Sequence, residues 1–479
     1  MNIRRAAAVA SIAALLPFAG TALAQDAPAT GDSNAELRRE IEDQKQRLLV
    51  LERKLEIQQE AATAAASTTP KITASASRFQ IGSADGANFV RLRGTLHADA
   101  RAYSGDSVPE TADTFILRRV RPTIEGTFGN IYDFKFMPDF AGGRSIIVDA
   151  YVAARFNPAA IVTVGKFKPP VGLERLQSSA DIRFIERALP TALVPNRDLG
   201  VQLSGDLGGG AFAYQVGYFN GVTDGQSSDN LATPDVEVDT AGDYAARIFF
   251  QPFINSSNFN LRGLGFGLGT TWVDVDGSAA NTALSAYRSP GQQSIFAYRV
   301  NTATGVTPNN ATFADGERLR LAPQLYYYRG SFGLLGEYTQ VEQDVSRVVG
   351  GTTLSDTLTH SAWQAQFSWF LTGEEEAFRG FTPGSTFQPG KSGRGAWELV
   401  ARYHELDLDD DTFVGGANSF ANPLTAVSKA TAYGVGVNWY PWNTVKLSLN
   451  YEQTEFEGGA ATGDRADEQA LLSRFAINF

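Results

Sequence analysis

From Phe89 to Tyr103 the chain alternates strictly. Val90, Leu92, Gly94, Leu96, Ala98, Ala100 and Ala102 are apolar or small, whereas Arg91, Arg93, Thr95, His97, Asp99 and Arg101 are polar. Successive side chains of a strand point to opposite faces, so one face suits lipid and the other suits water. Similar segments, separated by turn residues, continue to the C-terminus. They are Thr114 to Phe128, Tyr132 to Phe140, Ser145 to Phe156, Ala160 to Lys168, Leu199 to Asp206, Phe212 to Phe219 and Tyr244 to Phe253. The series goes on with Gly265 to Val275, Arg318 to Tyr328, Phe332 to Val341, Thr357 to Leu371, Ala396 to Leu406, Ala432 to Pro441, Val445 to Phe456 and Ala470 to Phe479. With the first segment these make sixteen, an even count that closes a sheet on itself and leaves no unpaired edge for hydrocarbon to penalise. A soluble β-sandwich alternates too, but its strands are rarely this long or this numerous. The expected fold is all-β, a 16-stranded antiparallel transmembrane β-barrel preceded by a short N-terminal α-helical coiled coil.

The N-terminus reads as an export address. Two positive charges in Met1 to Arg5 precede an apolar run from Ala6 to Gly20, and Thr21-Ala22-Leu23-Ala24 supplies small residues for cleavage before Gln25. The expected organisation is a signal peptide at 1–24, a linker at 25–33, a coiled-coil stalk at 34–60, a linker at 61–78 and a β-barrel at 79–479. The stalk rests on Leu37, Ile41, Gln44, Leu48, Leu51, Leu55 and Gln58, spaced alternately by four and three residues with charged residues between. Leucine at the a positions Leu48 and Leu55, with Gln44 at a d position, leans toward three strands; a single surface helix is the simpler alternative.

Zero cysteines exclude a disulfide framework, thiolate metal sites and cysteine nucleophiles together. A formal charge of −11 argues against a nucleic-acid partner. His97, His360 and His404 are the only candidates for a general base at neutral pH, and none lies in a catalytic motif, so neither an enzyme nor a cofactor is expected. Acidic runs at 374–376 and 407–411 lack the spacing of a calcium loop. Leu471, Phe475, Ile477 and Phe479 share one face of the last segment, and a chain ending on an aromatic residue resembles the signal read by barrel-assembly machinery.

Cations on strands and in one long insertion carry the functional signal. In a water-filled barrel, Arg and Lys attract anions and replace part of their hydration, and the planar guanidinium matches phosphate oxygens. The segment from Gly172 to Val194 is too long for a hairpin turn and carries Arg175, Arg183 and Arg187 among Leu173, Leu176, Ile182 and Phe184, as a loop packed inside a barrel would. The plainer reading is that these cations only solvate the lumen.

Several blocks in order resemble the phosphate-selective porin O/P family. They include FILRR at 115–119, DAY at 149–151, GKFKPPVGLE at 165–174, FIER at 184–187, TGE at 372–374, AWEL at 396–399 and GVNWYP at 436–441. The resemblance implies an outer-membrane homotrimer of 16-stranded barrels, whose third loop enters the pore and whose arginine ladder leads anions to a constriction. By that resemblance Arg118, Arg119 and Arg187 are ladder residues, Lys135 is a basic position on the periplasmic side, Asp149 is the constriction acid and Arg175 follows the GLE block. Arg93, Lys166 and Lys168 complete the candidate anion-binding set. Adjacent Arg118 and Arg119 would face opposite sides of a regular strand, so one touches a subunit contact or sits at a bulge. The chain departs from phosphate-specific members by carrying Thr95 in place of an arginine and Lys168 in place of an aromatic residue. Only Arg288 and Arg299 lie near the fifth-loop arginine cluster. The expected partners are inorganic phosphate or other small anions, outer-membrane lipid, further copies of the chain, the assembly machinery through Phe479, and the periplasmic cell wall through the stalk. A general or sugar-accepting pore and a structural barrel tethered by its stalk are the alternatives.

Overall fold

The computed structural model describes residues 32–75, 78–104, 113–228, 242–300 and 310–479. The expected signal peptide at 1–24 and nearly all of the linker expected at 25–33 lie outside the described residues. The chain divides into two units, Met1–Thr68 and Thr69–Phe479.

The described part of the first unit is α1 (Asp32–Thr68), 37 residues long. At ~1.5 Å per residue it spans about 55 Å. Leu37, Ile41, Leu48, Leu51 and Leu55 are each at least half exposed along it. The expected linker at 61–78 proves instead to continue the helix through the alanine-rich stretch to Thr68, because alanine has the strongest helix propensity. The helix stops just before Pro70, whose ring disfavours helical geometry at Thr69.

The second unit opens with a hairpin, β1 (Lys71–Ser75) and β2 (Arg78–Gly82), and β1 too occupies residues expected to be linker. Sixteen barrel strands follow. The first eight are β3 (Phe89–Ser104), β4 (Thr114–Phe128), β5 (Tyr132–Asp139), β6 (Ile146–Asn157), β7 (Ala160–Phe167), β8 (Asp198–Leu207), β9 (Phe212–Phe219) and β10 (Asp243–Phe250). After β11 (Leu264–Asp276) a small hairpin of β12 (Tyr287–Arg288) and β13 (Ser294–Phe296) interrupts the series. The wall resumes with β14 (Thr312–Arg329), β15 (Phe332–Val349), β16 (Thr352–Phe370), β17 (Ala396–Asp407), β18 (Val427–Trp442), β19 (Val445–Gly458) and β20 (Glu468–Asn478). Each of the sixteen expected segments corresponds to one of these strands. The barrel closes where β20 pairs antiparallel with β3, from Gln469 opposite Ser104 to Asn478 opposite Thr95.

The alternation has the sense a bilayer demands. On β16, Trp363, Phe367 and Trp369 are exposed while Gln364, Gln366 and Ser368 between them are buried. Aromatic pairs line the outside, Phe332 against Trp369 at 5.6 Å and Trp397 against Trp439 at 5.5 Å. One end of the barrel carries mostly tight turns, such as 158–159 and 443–444, and the other carries the long connections 168–197, 220–242, 277–311 and 408–426.

The described parts of the first, third and fourth of these connections pack against the inner face of the wall at their end. Leu189 and Leu193 from the first pack with Tyr287, Ile295, Phe296 and Tyr298 from the third and Phe420 and Ala421 from the fourth. Together they cover Val341 and Val345 of β15, Leu358 of β16, Leu406 of β17, Val427 of β18 and Phe456 of β19. The wall on that side therefore backs onto an apolar core, and open space is left beside the strands from β3 to β9.

Candidate anion pathway

The connection 168–197, here the inner loop, is held at several points. Gly172 has φ 76°, and a Cβ there would lie 2.9 Å from Val194, so the loop closes on itself only with glycine at this position. The amides of Leu173 and Glu174 donate to Glu337 on β15 at 2.5 and 3.4 Å. The Ile185 amide donates to Asn450 of β19 at 2.8 Å, and the buried side chains Ile182, Phe184 and Ile185 press the loop against the wall. Arg183 is clasped by Glu376 and by Glu398, the latter at 2.8 Å, while Gln177 donates to the Phe378 carbonyl at 2.8 Å and Asp181 accepts from the Gly380 amide at 3.1 Å. The inner loop thus reaches down the barrel to the long turn 371–395 at the opposite end.

Arg118 and Arg119 are adjacent yet both face inward. The β3–β4 register runs from His97 opposite Arg119 directly to Ala98 opposite Leu117, leaving Arg118 as the extra residue of a bulge. The bulge turns Arg118 into the lumen, while Phe115 and Leu117 stay exposed on the outer wall. Arg119 is buried behind it, 3.2 Å from His97.

Three cavities follow one another along this side. The first, about 230 Å³, is lined by Arg118, Arg119, Arg175, Arg187 and Arg288, with Glu186 as its carboxylate. The second in order, about 510 Å³, shares Arg118 and Arg288 with it and adds Arg101, Arg121, Arg144 and Arg197 against one acid, Asp139. The third, about 530 Å³, shares Arg121 and Arg197 with the second and adds Lys135, Lys168 and Arg379. Asp133, Asp149 and Asp181 line it as well, so the excess of positive charge is largest toward the long loops and is partly offset toward the turns. Burial, reinforced by the Arg187 and Arg197 charges, pulls Arg175 down to about 9. Such crowding of cations marks where an added anion lowers the electrostatic energy.

The candidate residues divide accordingly. Arg118, Arg119, Arg175 and Arg187 meet in the first cavity, and Lys135, Lys168 and Asp149 meet in the third. Asp149 accepts from Lys135 at 2.8 Å and from Arg197 at 3.1 Å, and Lys168 donates to the Gln177 carbonyl at 2.6 Å. Lys166 is buried and lines none of the three cavities, whereas Thr163 and Phe167 of the same strand line the third. Arg93 is also absent from their lining and pairs with Glu125 at 3.4 Å. Arg288 reaches the pathway, whereas Arg299 is spent on the carbonyls of Ser419 and Gly416 at 2.9 and 2.7 Å. Arg101, Arg121, Arg144 and Arg197 escaped the sequence reading. Inward alternation on β3 was the available signal for Arg101, but nothing local shows that Arg121 and Arg197 meet. The histidines are structural: His360 is bonded to Tyr298 at 2.7 Å and the Asp409 amide at 3.1 Å, and His404 accepts from the Leu189 amide at 3.1 Å.

Residues 90–479 match the profile of the family described as phosphate-selective porin O and P. The chain belongs to that family. This porin is 24% identical over 412 residues to Porin O of Pseudomonas aeruginosa, covering 81% of this chain and 88% of that one. It is 24% identical over 360 residues to an uncharacterized protein of Caulobacter vibrioides, covering 73% and 65%. Its fold resembles the outer membrane channel DcaP of Acinetobacter baumannii, with TM-score 0.50, 13% identity and coverage of 82% and 98%. OprB of Pseudomonas putida is similar at TM-score 0.50, 10% identity and coverage of 82% and 95%. This porin is therefore an outer-membrane channel, not an enzyme.

Proposed function

We propose that this porin passively conducts small anions, with phosphate, pyrophosphate or polyphosphate as the favoured solutes. The observation that carries the reading is the continuity of the three cavities through shared arginines, Arg118 and Arg288 at one junction and Arg121 and Arg197 at the next. An anion entering from the long-loop end, taken as extracellular, is concentrated by the first two cavities. It passes the junction of the second and third cavities, lined by Arg121 and Arg197, and meets Asp149 beside Lys135, where repulsion favours release. Arg118, Arg119, Arg175, Arg187, Lys135 and Lys168 carry the anion; Arg93 and Lys166 contribute field without contact. Weak sequential binding keeps each ion moving.

Three copies assemble through the barrel, with the exposed apolar stripe of α1 joining them as a periplasmic coiled coil that reaches toward the cell wall. The assembly machinery reads the end of β20 at Phe479. The test is the zero-current potential of purified protein in a planar bilayer under a KCl gradient, followed by titration of the chloride conductance with phosphate. Strong anion selectivity with block by phosphate supports the reading. Weak or cation selectivity overturns it in favour of a general or sugar-accepting pore.

A further inference from the structure

The first cavity contains one carboxylate among five arginines, and that carboxylate is held as a transported oxyanion would be. Glu186 Oε1 accepts from Arg118 Nε at 2.7 Å and from Arg101 Nη2 at 2.7 Å, and its Oε2 accepts from Arg118 Nη2 at 3.1 Å. Arg474 Nη2 stands 3.8 Å away. The Arg118 fork is thus occupied at both donors, although its side chain remains 32% exposed toward the cavities, against 4% for Glu186.

We propose that Glu186 is a tethered competitor for the solute, setting the affinity of the first anion site by occupying the Arg118 and Arg101 donors. The inference rests on the anion-conducting reading. A bidentate guanidinium–carboxylate pair uses the same donors that would receive a phosphate. Because the carboxylate is part of the chain, it meets the fork at high effective concentration, and a passing anion must displace it.

The loop does not need this charge to keep its place. The Glu186 carbonyl accepts from Arg402 at 2.9 Å, and the flanking Ile185 accepts from Arg474 through its carbonyl at 2.7 Å and donates to Asn450 through its amide. Arg474 is itself satisfied by Asp99 at 2.6 and 2.8 Å. The carboxylate therefore acts chiefly on Arg118 and Arg101, and its removal takes away the paired carboxylate of Arg118 and leaves Arg101 with Asp99 at 3.5 Å. A pore built this way exchanges affinity for rapid release.

The experiment compares full-length protein with its Glu186→Gln variant in planar bilayers, titrating inorganic phosphate against chloride conductance. Glutamine preserves size and removes the charge, so the half-blocking phosphate concentration should fall about tenfold, equivalent to about 1.4 kcal/mol. Blocked intervals should lengthen in step. The charge-balanced pair Glu186→Gln with Arg118→Gln should return toward the parent. An unchanged half-block in Glu186→Gln overturns the proposal. If that variant does not form channels, Glu186→Asp gives the second test, since its shorter side chain draws the charge back from the fork; block should tighten, and an unchanged half-block again overturns the proposal. A parent without anion selectivity under the KCl gradient would fail the underlying reading, before any variant is compared.

Discussion

Gly94 and Phe479 exchange both backbone hydrogen bonds, the Gly94 amide to the Phe479 carbonyl at 3.0 Å and the Phe479 amide to the Gly94 carbonyl at 3.1 Å. A Cβ on Gly94 would lie 2.5 Å from the Phe479 ring, so the last residue of the chain seats on a glycine of the first barrel strand. Gly94→Leu should displace the ring and cost about 1–3 kcal/mol, as overpacking generally does. The measurement is the temperature at which the folded barrel loses its compact mobility in detergent electrophoresis. An unshifted transition would show that the ring moves aside freely.

Arg187→Ala and Arg288→Ala should each lower the anion-to-cation permeability ratio by about fivefold, the weight of ~1 kcal/mol for one charge near the path. Reversal potentials in KCl gradients check this. Arg299→Ala serves as the contrast: its guanidinium is bonded to the 408–426 loop, so selectivity should hold. Equal losses in all three would point to net charge rather than position.

Replacing both Arg121 and Arg197 by Gln should widen and weaken the junction between the second and third cavities. Single-channel chloride conductance should rise in concentrated salt while anion preference falls, because side-chain bulk and positive charge are lost together. Conductance and preference that both stay unchanged would place the constriction elsewhere.

Glu376, in the turn 371–395, shares Arg183 with Glu398. Burial pushes its carboxyl above the ordinary carboxylate range, against the pull of Arg183, and the Glu398 charge adds to the rise. Below the ordinary value, near 4.5, the group is protonated whether or not the chain is folded. Between there and neutrality only the folded chain holds the proton, so stability should decline as pH rises through that window. Thermal unfolding in detergent at several pH values should show this decline in the parent and a flatter profile in Glu376→Gln.

Leu48→Asn with Leu51→Asn should weaken association of α1, by about 1.5–3 kcal/mol for each leucine that the oligomer buries. Detergent-resistant oligomers would become less heat-stable while the monomeric barrel kept its strand signal in circular dichroism. An unaltered oligomer would make α1 a solitary helix.

Strand positions were legible because lipid imposes one rule on every segment, apolar out and polar in, and that rule repeats with a period of two. The hairpin at its start was not: Lys71–Ser75 is fully exposed and short, so no face needs to be apolar. The helical stretch up to Thr68 looked like linker because small residues suggest flexibility, although alanine favours helix. At the site, the adjacency of Arg118 and Arg119 posed the question of a bulge, and only the β3–β4 register answers it. Lys166, a candidate from its place in the GKFKPP block, lines none of the three cavities, and a sequence block by itself does not say which face its lysine takes. Arg121 and Arg197 come together through barrel closure and loop placement, which no local pattern encodes.

The packed aromatic and aliphatic mass behind β15 to β19 changes what strand number means for this channel. Circumference belongs to the hydrogen-bonded wall, whereas bore belongs to a miniature globular interior made of Phe296, Phe420, Leu189 and their neighbours. Sieving and folding are then governed by the same side chains, and a truncation at Leu189, which belongs to that core and also lines the first cavity, would enlarge the passage by the same act that loosens the protein. Solute size range can drift through such residues without one change to the sheet.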